Sequence, residues 1–459
     1  MLDVLDQSFD RRSHRLRDGV SRRKFLKIGG MALGGMALPD LLRLRAAGNA
    51  AASPVRLPKS VIMVYLFGGP SHIDTYDLKP EAPVDYRGEF QPIRTNVPGF
   101  DICELMPMQA RIADRLALIR NMKFNPNFHD PVEWLSGFRK PTESTPAARP
   151  DLGSVISKLQ SEDGPGELPT YVALDKMVGG ARLNGPAYLG MAHKPFVPGD
   201  KYETMALARG ITPDRLRDRR TLLDEFDQFR RAAEDPRGEM GTMDAFTAQA
   251  LSMIVSPRAR DAFDVEREPE GVRAKYGTGE ALRFLRARRL VEAGVPVVTL
   301  TFGQSGATAA CRFGWDTHEA NFTCLRDILP RLDRAIHALI TDLAERGMDR
   351  DVLVVIGGEM GRTPRVGQST GNGAKTDGRD HWVQAGFTLV SGGGLRMGQV
   401  IGQTDKRASL PVGVPYTPQN VLATIYRVLG IDPAQTTLSD HTGRPIHLLD
   451  DPRPIKELL

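Results

Sequence analysis

The sequence predicts an α/β fold in which helices cover both faces of a mostly parallel central sheet. Continuous apolar runs, typical of strands buried on both faces, occur at residues 61–67, 297–302, 352–356 and 387–390. Helical patterns lie between these runs, and strands that alternate with helices favour a layered architecture. The 459 residues, of which 41% are hydrophobic and 25% charged, are sufficient to bury such a core.

The order of elements follows from turn signals and periodicity. The first strand, residues 61–67, ends at Gly68-Gly69-Pro70, a strong turn signal. Apolar residues repeat along one helical face over residues 322–343, where Pro330 marks either a kink or the true start of the helix.

Residues 200–290 have a different composition, because they are rich in Arg, Asp and Glu and contain few strand-like runs. We expect helices at 216–232 and 281–293 and interpret the segment as a helical insertion on the α/β body. A solvated decoration accounts for it best, and a cover over the site or a surface for a partner are the alternatives.

The N-terminus has the features of a twin-arginine export signal, with Arg22-Arg23 followed by Lys24-Phe25-Leu26-Lys27. The apolar stretch at 28–38 is far shorter than the roughly 20 residues of a bilayer-spanning helix but suits a secretory signal. Small residues at 46–52 offer cleavage sites. We therefore expect a signal and cleavage region at 1–52, a mature chain at 53–459 without a transmembrane span, and a periplasmic or extracellular location. A retained anchor is the alternative.

Removal of the signal changes the charge balance of the protein. Residues 1–50 contain ten Lys/Arg and five Asp/Glu of the 61 basic and 56 acidic residues, so the remainder is formally neutral. This balance provides no basic surface of the kind that binds nucleic acid. The three cysteines, Cys103, Cys311 and Cys324, are too few and too widely spaced for a disulfide framework. We interpret them as buried thiols, with a Cys311–Cys324 pair as the alternative.

Polar residues gather where the predicted strands begin or end, which is where α/β sheets bind ligands. Imidazole nitrogen together with carboxylate oxygen suits Zn²⁺, and also Mn²⁺ or Fe²⁺, with Mg²⁺ and Ca²⁺ as further candidates. Two such ions hold a phosphate-like or sulfate-like group and activate a nucleophile. An arginine would clamp the anion with two hydrogen bonds. Ordinary surface turns or helix caps are the alternative interpretation of each motif. The loop residues concerned are Ser71, His72, Asp74, His129, Asp316, His318, Glu359, Arg362, Arg379 and His381.

The combination of these motifs resembles domain-of-unknown-function family 1501. The resemblance rests on the twin-arginine signal and on residues 67–80, 314–318, 358–364 and 378–382, and it covers nearly all of the mature chain. That family is similar in turn to the sulfatase and alkaline phosphatase superfamily. The resemblance implies a three-layer α/β sandwich and the hydrolysis of phosphate or sulfate esters, of small molecules or of extracellular polysaccharide.

The resemblance also implies roles for the loop residues. Asp316, His318 and His381 would form one metal site, and Glu359 with His72 or Asp74 would form or complete a second. Arg362 or Arg379 would hold the anionic group. Ser71 and His129 are the remaining candidates for catalytic residues.

The sequence departs from the sulfatase pattern at three places. Gly68-Gly69 stand where sulfatases have an Asp-Asp pair, and Glu359-Met360-Gly361 replace an Asp-His-Gly loop. Residues 125–131, which correspond to the nucleophile region, hold no Cys, Ser or Thr, so formylglycine-type chemistry is not expected. The site binds one metal, uses water as the nucleophile or is inactive. The rival hypotheses are a non-catalytic envelope binding or assembly protein and a structural envelope protein.

Overall fold

A computed structural model describes residues 59–125, 129–142, 148–160, 168–175, 185–198, 256–303 and 311–459. All of these residues belong to one compact unit, Leu57–Leu459. The expected signal at 1–52, the expected helix at 216–232 and residues 200–255 of the expected insertion lie outside the described residues.

The described chain contains a seven-stranded central sheet and four two-stranded sheets. The strands are β1 Ser60–Tyr65, β2 Pro92–Ile93, β3 Ile102–Cys103, β4 Ala117–Met122, β5 Tyr171–Ala173, β6 Val297–Thr301, β7 Val352–Gly357, β8 Gly361–Arg362, β9 His381–Trp382, β10 Gly386–Gly392, β11 Gln399–Ile401, β12 Gln403–Thr404, β13 Pro411–Val412, β14 Thr437–Ser439 and β15 Pro445–His447. The central sheet has the order β11-β4-β10-β7-β1-β6-β5. Only β10 runs antiparallel to its neighbours, so the predicted mostly parallel sheet is confirmed.

Helices lie before, between and after these strands. The α-helices of the described residues are α1 Val84–Arg87, α2 Pro107–Ala110, α3 Val132–Ser136, α4 Leu152–Gln160, α5 Pro257–Phe263, α6 Glu270–Tyr276, α7 Leu282–Glu292, α8 Asn321–Glu345 and α9 Pro418–Val428. Short 3₁₀ helices span Ala113–Arg115, Ala187–Leu189, Met191–His193, Val265–Arg267, Gly279–Ala281 and Lys456–Leu458.

Two hydrophobic cores lie on opposite faces of the sheet. Successive side chains of a strand point to opposite faces. Accordingly, Ile62 and Val64 of β1 join a core formed with α7 and α8. Val61 and Met63 join the other core, formed with α3, α4 and α9. Burial of each such side chain stabilises the fold by about 1.5–3 kcal/mol. The result is the three-layer arrangement that the sequence predicted.

Helix α8 is longer than the predicted helix at 322–343. Pro330 neither begins nor ends it, because the helix continues through this residue, whose ring lies on the exposed side. Ile328, Leu332 and Ile336 are fully buried on the opposite side of the helix. The solvent-facing position accommodates the missing amide hydrogen without a break in the buried face.

The described part of residues 200–290 contributes to the core that is formed with α7 and α8. Phe263, Tyr276 and Phe284 are buried with the β1 side chains Ile62 and Val64. The helical pattern at 281–293 corresponds to α7. A purely solvated decoration therefore does not describe residues 256–290.

The cysteines correct the interpretation as buried thiols. Cys311 and Cys324 form a disulfide, with their Cα atoms 5.2 Å apart, and only Cys103 is a buried free thiol. The bond joins the loop after β6 to the first turn of α8. Within the described ranges, no helix has the length and apolar character needed to cross a bilayer.

Candidate metal centre

The predicted loops meet at one edge of the sheet. The strands β4, β6 and β7 are parallel and end there, whereas the antiparallel β10 begins there. The loops after β4, β6 and β7 therefore carry His129, the Asp316/His318 pair and Glu359 to the same edge. The segment before β10 brings His381 to it, as expected for ligands at the carboxyl ends of parallel strands.

Four side chains form a compact group of potential metal ligands. One ligand atom from each of His129, Asp316, His318 and His381 lies within 4.8 Å of the other three. The Oδ1 atom of Asp316 is 2.8 Å from Nε2 of His318, 3.1 Å from Nε2 of His129 and 3.6 Å from Nε2 of His381. Three imidazoles thus direct the same ring nitrogen to one carboxylate oxygen. Three of the four side chains are partly exposed, so solvent reaches the group.

Glu359 contacts the ring nitrogen of His129 that does not face Asp316. The Nδ1 atom of His129 lies 2.8 Å from Oε1 of Glu359, and the same oxygen accepts a 2.9 Å hydrogen bond from the amide of Gly68. The other carboxylate oxygen of Glu359 is buried without a hydrogen-bond partner. Glu359 therefore contacts the group through His129 and does not itself join the four potential ligands.

Asp380, a residue that the sequence analysis did not single out, lies beside Nδ1 of His318. Oδ1 of Asp380 lies 3.3 Å from Nδ1 of His318 and accepts a 2.7 Å hydrogen bond from the amide of His381. Its other oxygen accepts bonds from the amides of Thr370 at 2.6 Å and Asn372 at 3.2 Å. Although burial disfavours the charge, these backbone hydrogen bonds lower the pKa of Asp380 to about 2. The role of Asp380 depends on a spatial contact with a residue far away in sequence.

The third imidazole follows the same pattern with an amide. The Nδ1 atom of His381 lies 3.4 Å from the side-chain amide of Asn372. Each histidine therefore has a polar neighbour at Nδ1 and presents Nε2 to the centre. Such partners fix the tautomer and the orientation of metal-binding histidines.

The charges of the group influence one another strongly. Burial opposes ionisation, but hydrogen bonds from the three imidazoles and the nearby Arg362 hold the pKa of Asp316 well below its usual range. Burial also opposes the charged form of His129, yet the carboxylates of Asp316 and Glu359 outweigh it and raise the pKa of His129 to about 9. Burial lowers the pKa of His381, which favours the neutral form that binds metals.

Arg362 supports the group from the interior. Its guanidinium is fully buried, lies 2.6 Å from Oδ1 of Asp316 and donates to the carbonyls of Gly68, Gly69 (2.9 Å) and Arg379 (3.1 Å). In these contacts the N–H groups of the guanidinium donate to acceptors of the protein itself. These contacts favour a supporting role for Arg362, and its predicted use as an anion clamp stays a prediction.

Arg379 is likewise a structural residue in this arrangement. It donates to both carboxylate oxygens of Asp74, at 2.7 and 3.0 Å. The remaining donors bond to the carbonyls of Thr363 at 2.9 Å, Tyr86 at 2.8 Å and Pro364. All five N–H groups of the guanidinium have acceptors. These contacts favour a structural role for Arg379, and its predicted binding of an anion stays a prediction.

The loop after β1 does not reach the four potential ligands either. Ser71 donates a 2.6 Å hydrogen bond to Asp74, which also accepts one at 2.9 Å from Asn321. Nε2 of His72 lies 2.8 Å from the carbonyl oxygen of Ala408. The structure thus places Ser71, His72 and Asp74 in a buried polar network beside the site. No second group of three or more possible ligands occurs among the described residues.

The backbone at position 68, shortly after the first strand, requires glycine. Its φ angle is +111°, and a Cβ atom there would lie 2.5 Å from the backbone nitrogen of Asp316. Only glycine permits both the backbone angle and this close approach. The position thus brings the Asp316 loop against the end of β1.

A family model with the description "Protein of unknown function (DUF1501)" matches residues 58–459. The chain belongs to this family. The match confirms the resemblance predicted from the motifs. No curated protein matches the chain.

Several solved structures are similar to this DUF1501 member. They include the PsFucS1 sulfatase from Pseudoalteromonas sp., with 13% identity over 85% of this chain and 71% of that chain at a TM-score of 0.36. The C-terminal periplasmic domain of EcEptC from Escherichia coli, in complex with Zn, has 10% identity, covers 88% and 92% of the two chains and has a TM-score of 0.36. The lipoteichoic acid synthase LtaP from Listeria monocytogenes has 11% identity, covers 87% and 78% and has a TM-score of 0.35.

Proposed function

We propose that this protein is an exported, metal-dependent hydrolase of phosphate or sulfate esters, carried by small molecules or by polysaccharides. The observation that carries the proposal is the convergence of three Nε2 atoms, from His129, His318 and His381, on the carboxylate of Asp316. Residues 1–52 would direct export, and the mature protein would be residues 53–459.

The donor set fits a divalent transition metal. Three imidazole nitrogens and one carboxylate oxygen suit Zn²⁺, or Mn²⁺ or Fe²⁺, better than Mg²⁺ or Ca²⁺, which prefer oxygen ligands. The Nε2 atom of His129 is buried and faces Oδ1 of Asp316 at 3.1 Å, and the Nε2 atoms of His318 and His381 face the same oxygen. One carboxylate oxygen offers only about two acceptor sites, so three converging imidazole nitrogens are better satisfied when a cation binds them. The residues present therefore fit a metal ion held by these four side chains.

The remaining residues would prepare the site for chemistry. A bound metal polarises an ester oxygen and lowers the pKa of a water molecule. Glu359 and Asp380, which lie beside Nδ1 of His129 and His318, would hold these imidazoles in orientation, and Arg362 would fix the carboxylate of Asp316. Ser71 is bonded within the buried network, so we propose water as the nucleophile.

Metal content tests the proposal most directly. Purified residues 53–459 should carry near-stoichiometric metal by elemental mass spectrometry, and the Asp316→Ala/His381→Ala variant should lose it. His337→Ala, on α8, serves as the control for the loss of a histidine. The hydrolase hypothesis would be contradicted if the folded wild-type protein bound none of the three ions Zn²⁺, Mn²⁺ and Fe²⁺.

A non-catalytic binding or assembly protein is the second candidate function. It is favoured by residues 125–131, the region that corresponds to the sulfatase nucleophile, because they hold no Cys, Ser or Thr. Turnover of aryl phosphate and aryl sulfate esters by the metal-loaded protein separates the two functions. Bound metal without turnover of any ester favours the binding protein. A purely structural envelope protein would keep its function in the Asp316→Ala/His381→Ala variant.

A further inference from the structure

The disulfide Cys311–Cys324 encloses part of the candidate metal centre. Its two cysteines are separated by 13 positions, and both Asp316 and His318 lie between them. The bond thus closes a short loop that carries two of the four potential ligands. The remaining two, His129 and His381, come from other segments of the chain.

Hydrogen bonds within residues 311–316 of this loop fix its shape more than its position, whereas the amides of Arg379 and Lys375 donate to the carbonyls of Thr317 at 2.9 Å and His318 at 2.8 Å and hold the part that follows. The amide of Gly314 donates to the carbonyl of Cys311 at 3.1 Å, and the amide of Asp316 donates to that of Phe313 at 3.2 Å. Both bonds connect residues only three positions apart, so they move with the loop. The indole of Trp315 provides one link to the body of the protein, through a 2.8 Å bond to the carbonyl of Phe302.

The disulfide provides a covalent link to a well-anchored helix. Cys324 lies in the first turn of α8 and is 1% exposed, and Leu325 and Ile328 beside it are fully buried in the core. The first residue of α8 makes a second contact with the loop, because Asn321 accepts a 2.7 Å hydrogen bond from the hydroxyl of Thr317. The ligand loop is thus attached to α8 on both sides of Asp316.

We infer that the Cys311–Cys324 disulfide is a positioning element of the metal centre. It keeps Asp316 and His318 in register with the imidazoles of His129 and His381, and metal affinity depends on it. The inference rests on the proposed metal site. Reduction by a dithiol would break the S–S bond and form two thiols, with two electrons and two protons supplied as the dithiol becomes a disulfide.

The test compares the oxidised mature protein with Cys311→Ala/Cys324→Ala. Zn²⁺ affinity is measured by chelator competition, and the ligand geometry is measured by the visible spectrum after substitution with Co²⁺. We expect affinity to fall about 10- to 100-fold, the size found when outer partners of metal ligands are lost. The Co²⁺ spectrum should change as well, and a purely stabilising bond would leave the spectrum of the folded variant intact. Cys103→Ala, which removes a buried free thiol, is the matched control.

Two outcomes would overturn the inference. The first is a folded double variant with wild-type Zn²⁺ affinity and Co²⁺ spectrum, which leaves the proposed function standing. The second is equal amide hydrogen exchange over residues 312–320 in wild type and double variant, because the bond then does not position the loop. A wild-type protein that binds no metal would instead refute the proposed function, and with it the dependence of metal affinity on the disulfide.

Discussion

The buried Arg379 provides a sharp test of structural against substrate-binding roles. The Arg379→Met substitution removes a guanidinium whose five donors all bond to protein acceptors and leaves Asp74 without its cation. Asp74 and Arg379 are both almost completely buried, at 1% and 0% exposure. Removal of one partner of a buried ion pair costs about 3–5 kcal/mol, because the other charge stays buried.

The expected loss is large relative to the total stability of a protein. A natural domain has a free energy of unfolding of about 5–15 kcal/mol, so Arg379→Met should unfold at much lower urea concentration than wild type. Arg365→Met is the matched control, since Arg365 pairs with Asp85 at the surface, where their side chains are 59% and 44% exposed. Such a pair contributes at most about 1 kcal/mol.

The opposite pattern would refute the reasoning. Arg379→Met could instead change the free energy of unfolding by less than about 1 kcal/mol, no more than the loss of a surface ion pair. If this variant also binds phosphate or sulfate more weakly than wild type, Arg379 is an anion clamp. The buried network described above would then not represent the working state of the site.

Three further predictions concern the candidate centre. Asp380→Asn should lower Zn²⁺ affinity about 10- to 100-fold by releasing His318, with isothermal titration as the measurement, and unchanged affinity would exclude this role. In the metal-free protein, the raised pKa of His129 means that its charged form stabilises the fold fully below pH about 6.5, and this contribution is lost as the pH rises through about 9. Urea unfolding of metal-free wild type should show this loss and His129→Gln should not, so parallel pH profiles would contradict it. Gly68→Ala should destabilise the protein by about 1–3 kcal/mol and reduce its metal content, because the added Cβ atom would meet the backbone of Asp316. A Gly68→Ala variant with the thermal unfolding and the metal content of wild type would contradict this close approach.

The sequence was sufficient to predict the sheet and the edge where the site lies. Buried parallel strands appear as apolar runs, and ligands gather at their carboxyl ends, so both properties are local in sequence. The family resemblance implied that Asp316, His318 and His381 share one metal site, and the structure brings these three side chains together. The position of His129 depends on the end of β4, a strand that carries no long apolar run and was not predicted.

The pairing of charges was not predictable in the same way. Arg362 and Arg379 are of the residue type expected to bind an anion. Their hydrogen bonds go mostly to backbone carbonyls, and a motif of side chains does not predict such bonds. Asp380 was missed for a similar reason, since its contact with His318 joins two distant segments. The Cys311–Cys324 bond also depends on spatial proximity, which a cysteine count does not provide.

The charge balance of the site favours one metal ion over two, both of which the sequence left open. Among the described groups that contact the four potential ligands, the carboxylates are Glu359 and Asp380, and the guanidinium is Arg362. With Asp316 itself and neutral imidazoles, these groups carry a net charge of about two negative units, which one divalent cation would neutralise. Asp74 supplies no further charge to the site because Arg379 neutralises it. A second dication would stand in a partly buried region without compensating carboxylates, which is unfavourable. In the metal-free protein burial opposes the charged form of His129, but two of these carboxylates, Asp316 and Glu359, outweigh it and raise its pKa.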